Sequence, residues 1–350
     1  MAEQPGQGGA PDFLYPLDEA WLARHGEAAL EPALPIIDPH HHLWDNPGSR
    51  YLLPELLGDL DGGHAVQATV FVQCRAMYRA AGDRDLAPLG ETEFVNGVAA
   101  MSASGAYGPA RACAGIVGYA DLSLGARVEP ILEAHLSAAG VRFRGIRNSS
   151  ARDADETIRT LPFAPPADLL RRPAFREGFA RLAPLGLSFD AWLLHPQIPE
   201  LADLARAFPQ TTVILDHVGG PIGVGRYAGR RQEVFAAWRR SIVDLAGCPN
   251  VQVKLGGLGM PVMGFGFHER ETPPTSAELA AAWRPYVETC IEAFGVGRCM
   301  FESNFPVDKV SCGYAVLWNA FKRLAQGGSP AEKAALFGGT ARRVYRLDLD

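Results

Sequence analysis

Eight short apolar runs, each followed by a longer connecting segment, set the strongest limit on how this chain can fold. They are LPIID (34–38), QATVFVQC (67–74), RACAGIVGYADL (111–122), VRFRGIRN (141–148), LGLSFDAWLLH (185–195), TTVILDH (211–217), VQVKLGG (251–257) and RCMFESN (298–304). Intervening segments such as VEPILEAHLSAAG, IPELADLARAFPQ and SAELAAAWRPYVETCIEAFG repeat their apolar residues at three- and four-residue steps, the mark of helices with one buried face. Strands alternating with helices call for parallel pairing through right-handed crossovers, and eight such units close most naturally into an α/β barrel of the (β/α)8, TIM-like kind. An open doubly wound sheet is the alternative. Its glycine-rich phosphate fingerprint is absent after the first strand, where histidines stand instead.

At 350 residues the chain suits one large domain with an N-terminal addition. Residues 1–34 read as a tail, flexible over 1–12, with a packing helix over PLDEAWLARHGEAAL; residues 35–350 read as the barrel. Hydrophobic residues make up 47% and charged residues 21%, the composition of a globular protein with ample core. A formal net charge of −6 gives no basic field for nucleic acid, so a small-molecule substrate is the expected partner. No run approaches the roughly 18 apolar residues of a membrane span, and no secretory leader is evident, which points to a cytoplasmic protein. The six cysteines form no CxxC pair and read as buried, reduced thiols. A homo-oligomer is left open.

In IIDPHHHLWD the strand alternation turns His40 and His42 to one side and His41 to the other, so two imidazoles converge on one place. Arg147, His195, His217, Lys254, Glu302 and Asn304 stand at or near the ends of later strands, the end of a barrel where active sites are built. Segments 75–109 and 259–276 are longer than a connection needs, and as βα loops they could cover a substrate. Glu91 and Glu93 could reach the site from the first of these or simply cap a helix.

These residues, with the motifs GIVGYADL, RGIRN, TVILDHVGGP, CMFESNFPVD and GGTARRVYRL, resemble the amidohydrolase superfamily from about Ile36 onward. Within it they are similar to the amidohydrolase-related lactonase group, which includes 2-pyrone-4,6-dicarboxylate lactonase and sugar lactonases. The resemblance implies a distorted barrel of the amidohydrolase type, with His40 and His42 as the first-strand pair and His217 as the sixth-strand histidine. His195 matches a fifth-strand metal ligand, and Arg147 an arginine that holds a substrate carboxylate or carbonyl.

Where the superfamily carries an aspartate on the eighth strand, this chain has Asn304. An amide cannot accept a proton at neutral pH, so the base is expected among His217, Asp308 and Glu302. His40, His42 and His195 could give zinc or manganese three neutral ligands, though a metal-free site in which histidines hold the oxyanion is open. Lys254 and Trp44 are further candidates for substrate contact. The expected activity is hydrolytic opening of a lactone or similar cyclic ester, carboxylate-bearing by the presence of Arg147. The alternatives are a metal-dependent decarboxylase of an aromatic or unsaturated acid and a non-catalytic small-molecule binding protein.

Overall fold

The computed structural model describes residues 16–349, so the expected flexible tail at 1–12 lies outside the described residues. Eight parallel strands run in sequence order around one sheet: β1 (Pro35–His41), β2 (Ala65–Val72), β3 (Arg111–Gly118), β4 (Phe143–Arg147), β5 (Ser188–Ala191), β6 (Val213–Leu215), β7 (Val251–Leu255) and β8 (Cys299–Phe301). The last strand returns to the first through backbone bonds from Asn304 N–H to His40 O (2.9 Å) and from His42 N–H to Phe305 O (2.8 Å). The sheet is thus a nearly closed barrel. Its seam passes through the histidine segment and the segment carrying Asn304.

Helices follow the strands as α1 (Leu53–Leu60), α2 (Leu89–Ala103), α3 (Glu129–Ala139), α4 (Pro173–Phe179), α5 (Ile198–Ala207), α6 (Arg231–Ala246), α7 (Ser276–Phe294) and α8 (Tyr314–Leu324). Helix α7 shows why these segments are helical. Thr275 and Glu278 form a reciprocal capping box, and Leu279, Trp283, Val287 and Cys290 recur on one buried face. That face packs into the layer between sheet and helices. A smaller apolar cluster, including Ile37, Val70, Val117, Ile214, Met300 and Tyr345, is separate from this layer.

The expected N-terminal helix is reduced to four residues, Glu19–Leu22, capped by Asp18. Beyond it the chain is held by polar ties rather than helical bonds. Glu27 accepts the Ser276 N–H at the start of α7, and the Lys322 ammonium, from α8, donates to the carbonyls of Leu30 and Glu31. Among the described residues no helix is long and apolar enough to cross a membrane.

Candidate active site

Strand β1 does not alternate evenly along its length. Its register shifts between Asp38 and His41, around Pro39, which decides which way each histidine faces. His40 and His42 turn to one side, their ring centroids 4.9 Å apart. His41 turns to the other, against Phe71 and the Thr69 hydroxyl at 2.8 Å.

The polar groups around His40 form a buried charge network. Lys254 Nζ lies 2.7 Å from Asp190 Oδ2, 3.0 Å from Asp216 Oδ1 and 3.0 Å from His40 Nδ1. Burial alone would lower the lysine pKa, but Asp190, Asp216 and Glu302 more than reverse this and keep it cationic. Glu302 Oε2 lies 2.8 Å from His40 Nδ1, and Arg147 stands 3.2 Å from His40 Nε2. Arg147 also donates to the side chain and carbonyl of Gln73.

Glu302 holds His217 by two bonds, from the backbone N–H (3.1 Å) and from ring Nδ1 (2.7 Å). Burial pushes the Glu302 carboxyl up, yet His217 and His40 outweigh it and hold the group at about 2. An ionised carboxylate at Nδ1 fixes that proton there, which makes Nε2 the basic nitrogen. His217 lines the cavity above. Its backbone is left-handed (φ +54), and the ring approaches Gly257 so closely that a Cβ there would come within 2.4 Å of it. Glycine at 257 is therefore required by the histidine's position.

Asn304 spans His42 and Asp308. Its Nδ2 donates to Asp308 Oδ1 at 2.8 Å, and its Oδ1 lies 3.3 Å from His42 Nε2. Because His42 commits its Nδ1–H to Val72 O (2.7 Å), Nε2 of the neutral ring is an acceptor that needs a donor. A half-turn of the amide supplies one and passes Oδ1 to Asp308, which must then carry a proton. Burial pushes Asp308 up to about 7, so that proton is available near neutrality.

A folded-state pKa above the ordinary value of 3.8 means that Asp308 contributes stability in full at low pH. The contribution is lost as pH rises through about 7. Asp308→Asn cannot ionise, so its Tm relative to the native protein is expected to rise between pH 4 and pH 8. A gap that stays constant over thermal melts in that range would refute the assignment.

The cavity above these groups measures about 560 Å³. His42, Gln73, Arg147, His217 and Asn304 form its polar floor, and Trp44, Ile158, Leu161, Trp192, Met260 and Val262 its apolar walls. Among the described residues no aspartate or glutamate lines it, whereas Arg75, Arg147 and Arg159 do. The expected cover from the 259–276 loop is present in Met260, Pro261 and Val262. A third loop contributes more than sequence reasoning foresaw: Thr157–Pro162, between β4 and α4, supplies six consecutive lining residues.

The amidohydrolase family profile matches residues 37–347. The chain belongs to the amidohydrolase family. It is 36% identical to the uncharacterized protein y4mH of Sinorhizobium fredii, over 89% of this chain and 98% of that one. To an L-fucono-1,5-lactonase of Burkholderia multivorans it is 29% identical, over 89% of this chain and 96% of that one. An amidohydrolase from Burkholderia multivorans, solved with bound zinc, superimposes with a TM-score of 0.68 at 26% identity, covering 89% and 99% of the two chains.

Within this amidohydrolase the expected site residues separate into three groups. His42, Trp44, Arg147, His217 and Asn304 reach the cavity, with the Trp44 ring stacked on His42. His40, Glu302 and Asp308 lie directly beneath, fully buried. Lys254 and His195 stand elsewhere than expected. Lys254 is fully buried under His40 and enclosed by carboxylates, so it organises the floor rather than touching a substrate. His195 follows the end of β5 by four residues. Its ring turns away, accepting the Ile222 N–H (3.3 Å) and packing on Tyr227, and burial holds it at about 4. From β5 it is Asp190 that enters the network.

The side chains able to hold a divalent ion are consequently not the expected three. Among the described residues one group offers three donor atoms mutually within 4.8 Å: His40, Asp216 and His217. Imidazole and carboxylate together suit zinc or manganese. Asp216 Oδ1 faces the Lys254 ammonium at 3.0 Å, while its Oδ2 has no hydrogen-bond partner among the described residues and meets only Arg147, at 3.7 Å, so the donor set keeps a carboxylate oxygen open to an ion. The Lys254 ammonium already lies against two of its members, and an ion would enter in exchange for it.

Proposed function

We propose that this amidohydrolase opens a lactone or similar cyclic ester bearing a carboxylate, with His217 as the base that activates water. The observation that carries the reading is the Glu302–His217 pair, whose Nε2 side meets a cavity lined by arginines and, among the described residues, by no acid. Water held at Nε2 attacks the carbonyl carbon as its proton passes to His217, and Glu302 compensates the imidazolium that forms. The carbonyl oxygen becomes an oxyanion beside Arg147, whose position is set by its bonds to Gln73. When the intermediate collapses, the C–O bond to the ring oxygen breaks. His217 returns its proton to that oxygen. The product is a hydroxy acid, which releases one proton to solution at neutral pH.

A divalent ion held by His40, Asp216 and His217 would supply a Lewis acid and a more acidic bound water. That use of His217 and its use as a base are alternatives, and the Lys254 ammonium within the group favours the base.

The reading is tested by a lactone panel followed by acid release, with carbon dioxide measured in parallel. Acid release without carbon dioxide is expected. Carbon dioxide from an unsaturated or aromatic acid would establish decarboxylation instead, and binding without either product would make the protein a binding module.

A further inference from the structure

The loop after β2 presents to the cavity an arginine that no acid among the described residues neutralises. Arg75 lines the cavity with its guanidinium carbon 4.7 Å from the Phe163 ring centroid and 5.6 Å from that of Tyr78. Among the described residues it makes neither a hydrogen bond nor an ion pair. Stacking on rings occupies the faces of a guanidinium and leaves its N–H edge available, the edge that receives a carboxylate in bidentate fashion.

The backbone at Arg75 is left-handed, with φ at +71, a conformation that residues with a Cβ keep only when their surroundings impose it. Here the cause can be named. One carboxylate oxygen of Glu91, on the first turn of α2, accepts the N–H of Cys74 (3.0 Å) and the N–H of Ala76 (2.8 Å), the two neighbours of Arg75. Glu91 is 1% exposed. It neither caps its helix nor reaches the cavity, and it clamps the loop on both sides of the arginine.

Arg147 is differently placed. Its Nε and one NH2 group are committed to Gln73, and its other NH2 group faces His40, so it is held beside the reacting carbonyl. We infer that Arg75 anchors the carboxylate of the substrate, a carboxylate-bearing lactone. Trp44, Trp192, Ile158, Leu161 and Val262 offer the body of such a substrate apolar contact, and Asn46, Ser49, Thr157 and Thr160, which also line the cavity, offer partners to its polar groups. The word substrate rests on the hydrolytic reading proposed above. Selection of the anion does not.

Benzoate and its neutral isostere benzamide are suitable probes, titrated by the fluorescence of Trp44 and Trp192 in the cavity wall. The native protein is expected to prefer benzoate. Arg75→Gly is expected to weaken benzoate about 10- to 100-fold, the loss of a charge-assisted pair, and so to abolish that preference. Glycine accepts φ +71 without strain, so the Tm of this variant should hold or rise, and Arg75→Lys should recover part of the affinity. On a carboxylate-bearing lactone that the native protein turns over, Arg75→Gly should act on KM rather than kcat. Equal benzoate affinity in native protein and variant, or no native preference for benzoate over benzamide, would overturn the inference. If the native protein opens no lactone, the hydrolytic reading fails, and the probe titration still decides the role of Arg75.

Discussion

Replacing His217 with asparagine is expected to cut turnover on the best lactone by about 10²- to 10⁴-fold, the usual contribution of a positioned base. Asparagine is the informative choice because the residue is held at φ +54, and asparagine tolerates the left-handed region better than alanine does. The variant should therefore keep its fold while losing the proton acceptor. Glu302→Gln should be comparably damaging by another route. Its amide can turn an NH2 group towards Nδ1, which would place the imidazole proton on Nε2, the wrong nitrogen for accepting one from water. Steady-state turnover of both variants, with thermal melts to establish folding, is the measurement. Near-native turnover in both would show that His217 does not activate water.

The asparagine at 304, where the resemblance implies an aspartate, acquires a physical account from the same geometry. An aspartate there would face the Asp308 carboxyl across the 2.8 Å contact that the amide now bridges, and two buried carboxylates cannot both ionise at that spacing. The amide satisfies Asp308 and His42 together and, in the proposed reading, leaves proton abstraction to His217 at the end of β6.

The barrel was legible because its signal is local. Each of the eight apolar runs overlaps one of the eight strands, six of them containing it whole, and period and length suffice to find them. The facing of His40, His42 and His41 was legible for a similar reason, although the strand reaches it through a register shift at Pro39 that no pattern reveals. Asp190 and Asp216 went unread because their meaning is non-local. Each is one acidic residue in an apolar run, and only the meeting of β5, the end of β6 and β7 at Lys254 shows why such residues can be buried. His195 misled for the complementary reason: it closes an apolar run in sequence, but the strand itself stops at Ala191. The 157–162 loop carries no periodicity, so its place in the cavity wall depends on how the whole face assembles.

Removing the Lys254 ammonium should have the largest effect on stability of any single change at the site. Lys254→Met leaves Asp190 and Asp216 buried without the cation that faces both, and breaking a buried pair in this way costs about 3–5 kcal/mol. In a chain of this size that is a fall in Tm on the order of 10 °C. The same change empties the place where a divalent ion would compete with lysine, since His40, Asp216 and His217 keep their donor atoms. Micromolar zinc or manganese should therefore raise the Tm of Lys254→Met by several times more than that of the native protein. Native protein purified without metal in the medium should hold well under one equivalent by elemental analysis and keep its Tm after exhaustive chelation. One equivalent of tightly held zinc or manganese, with a Tm that falls on chelation, would mean that the ion displaces Lys254 in the resting protein. His217 would then be a ligand rather than the base, and the effect of His217→Asn would appear in metal content before it appeared in turnover.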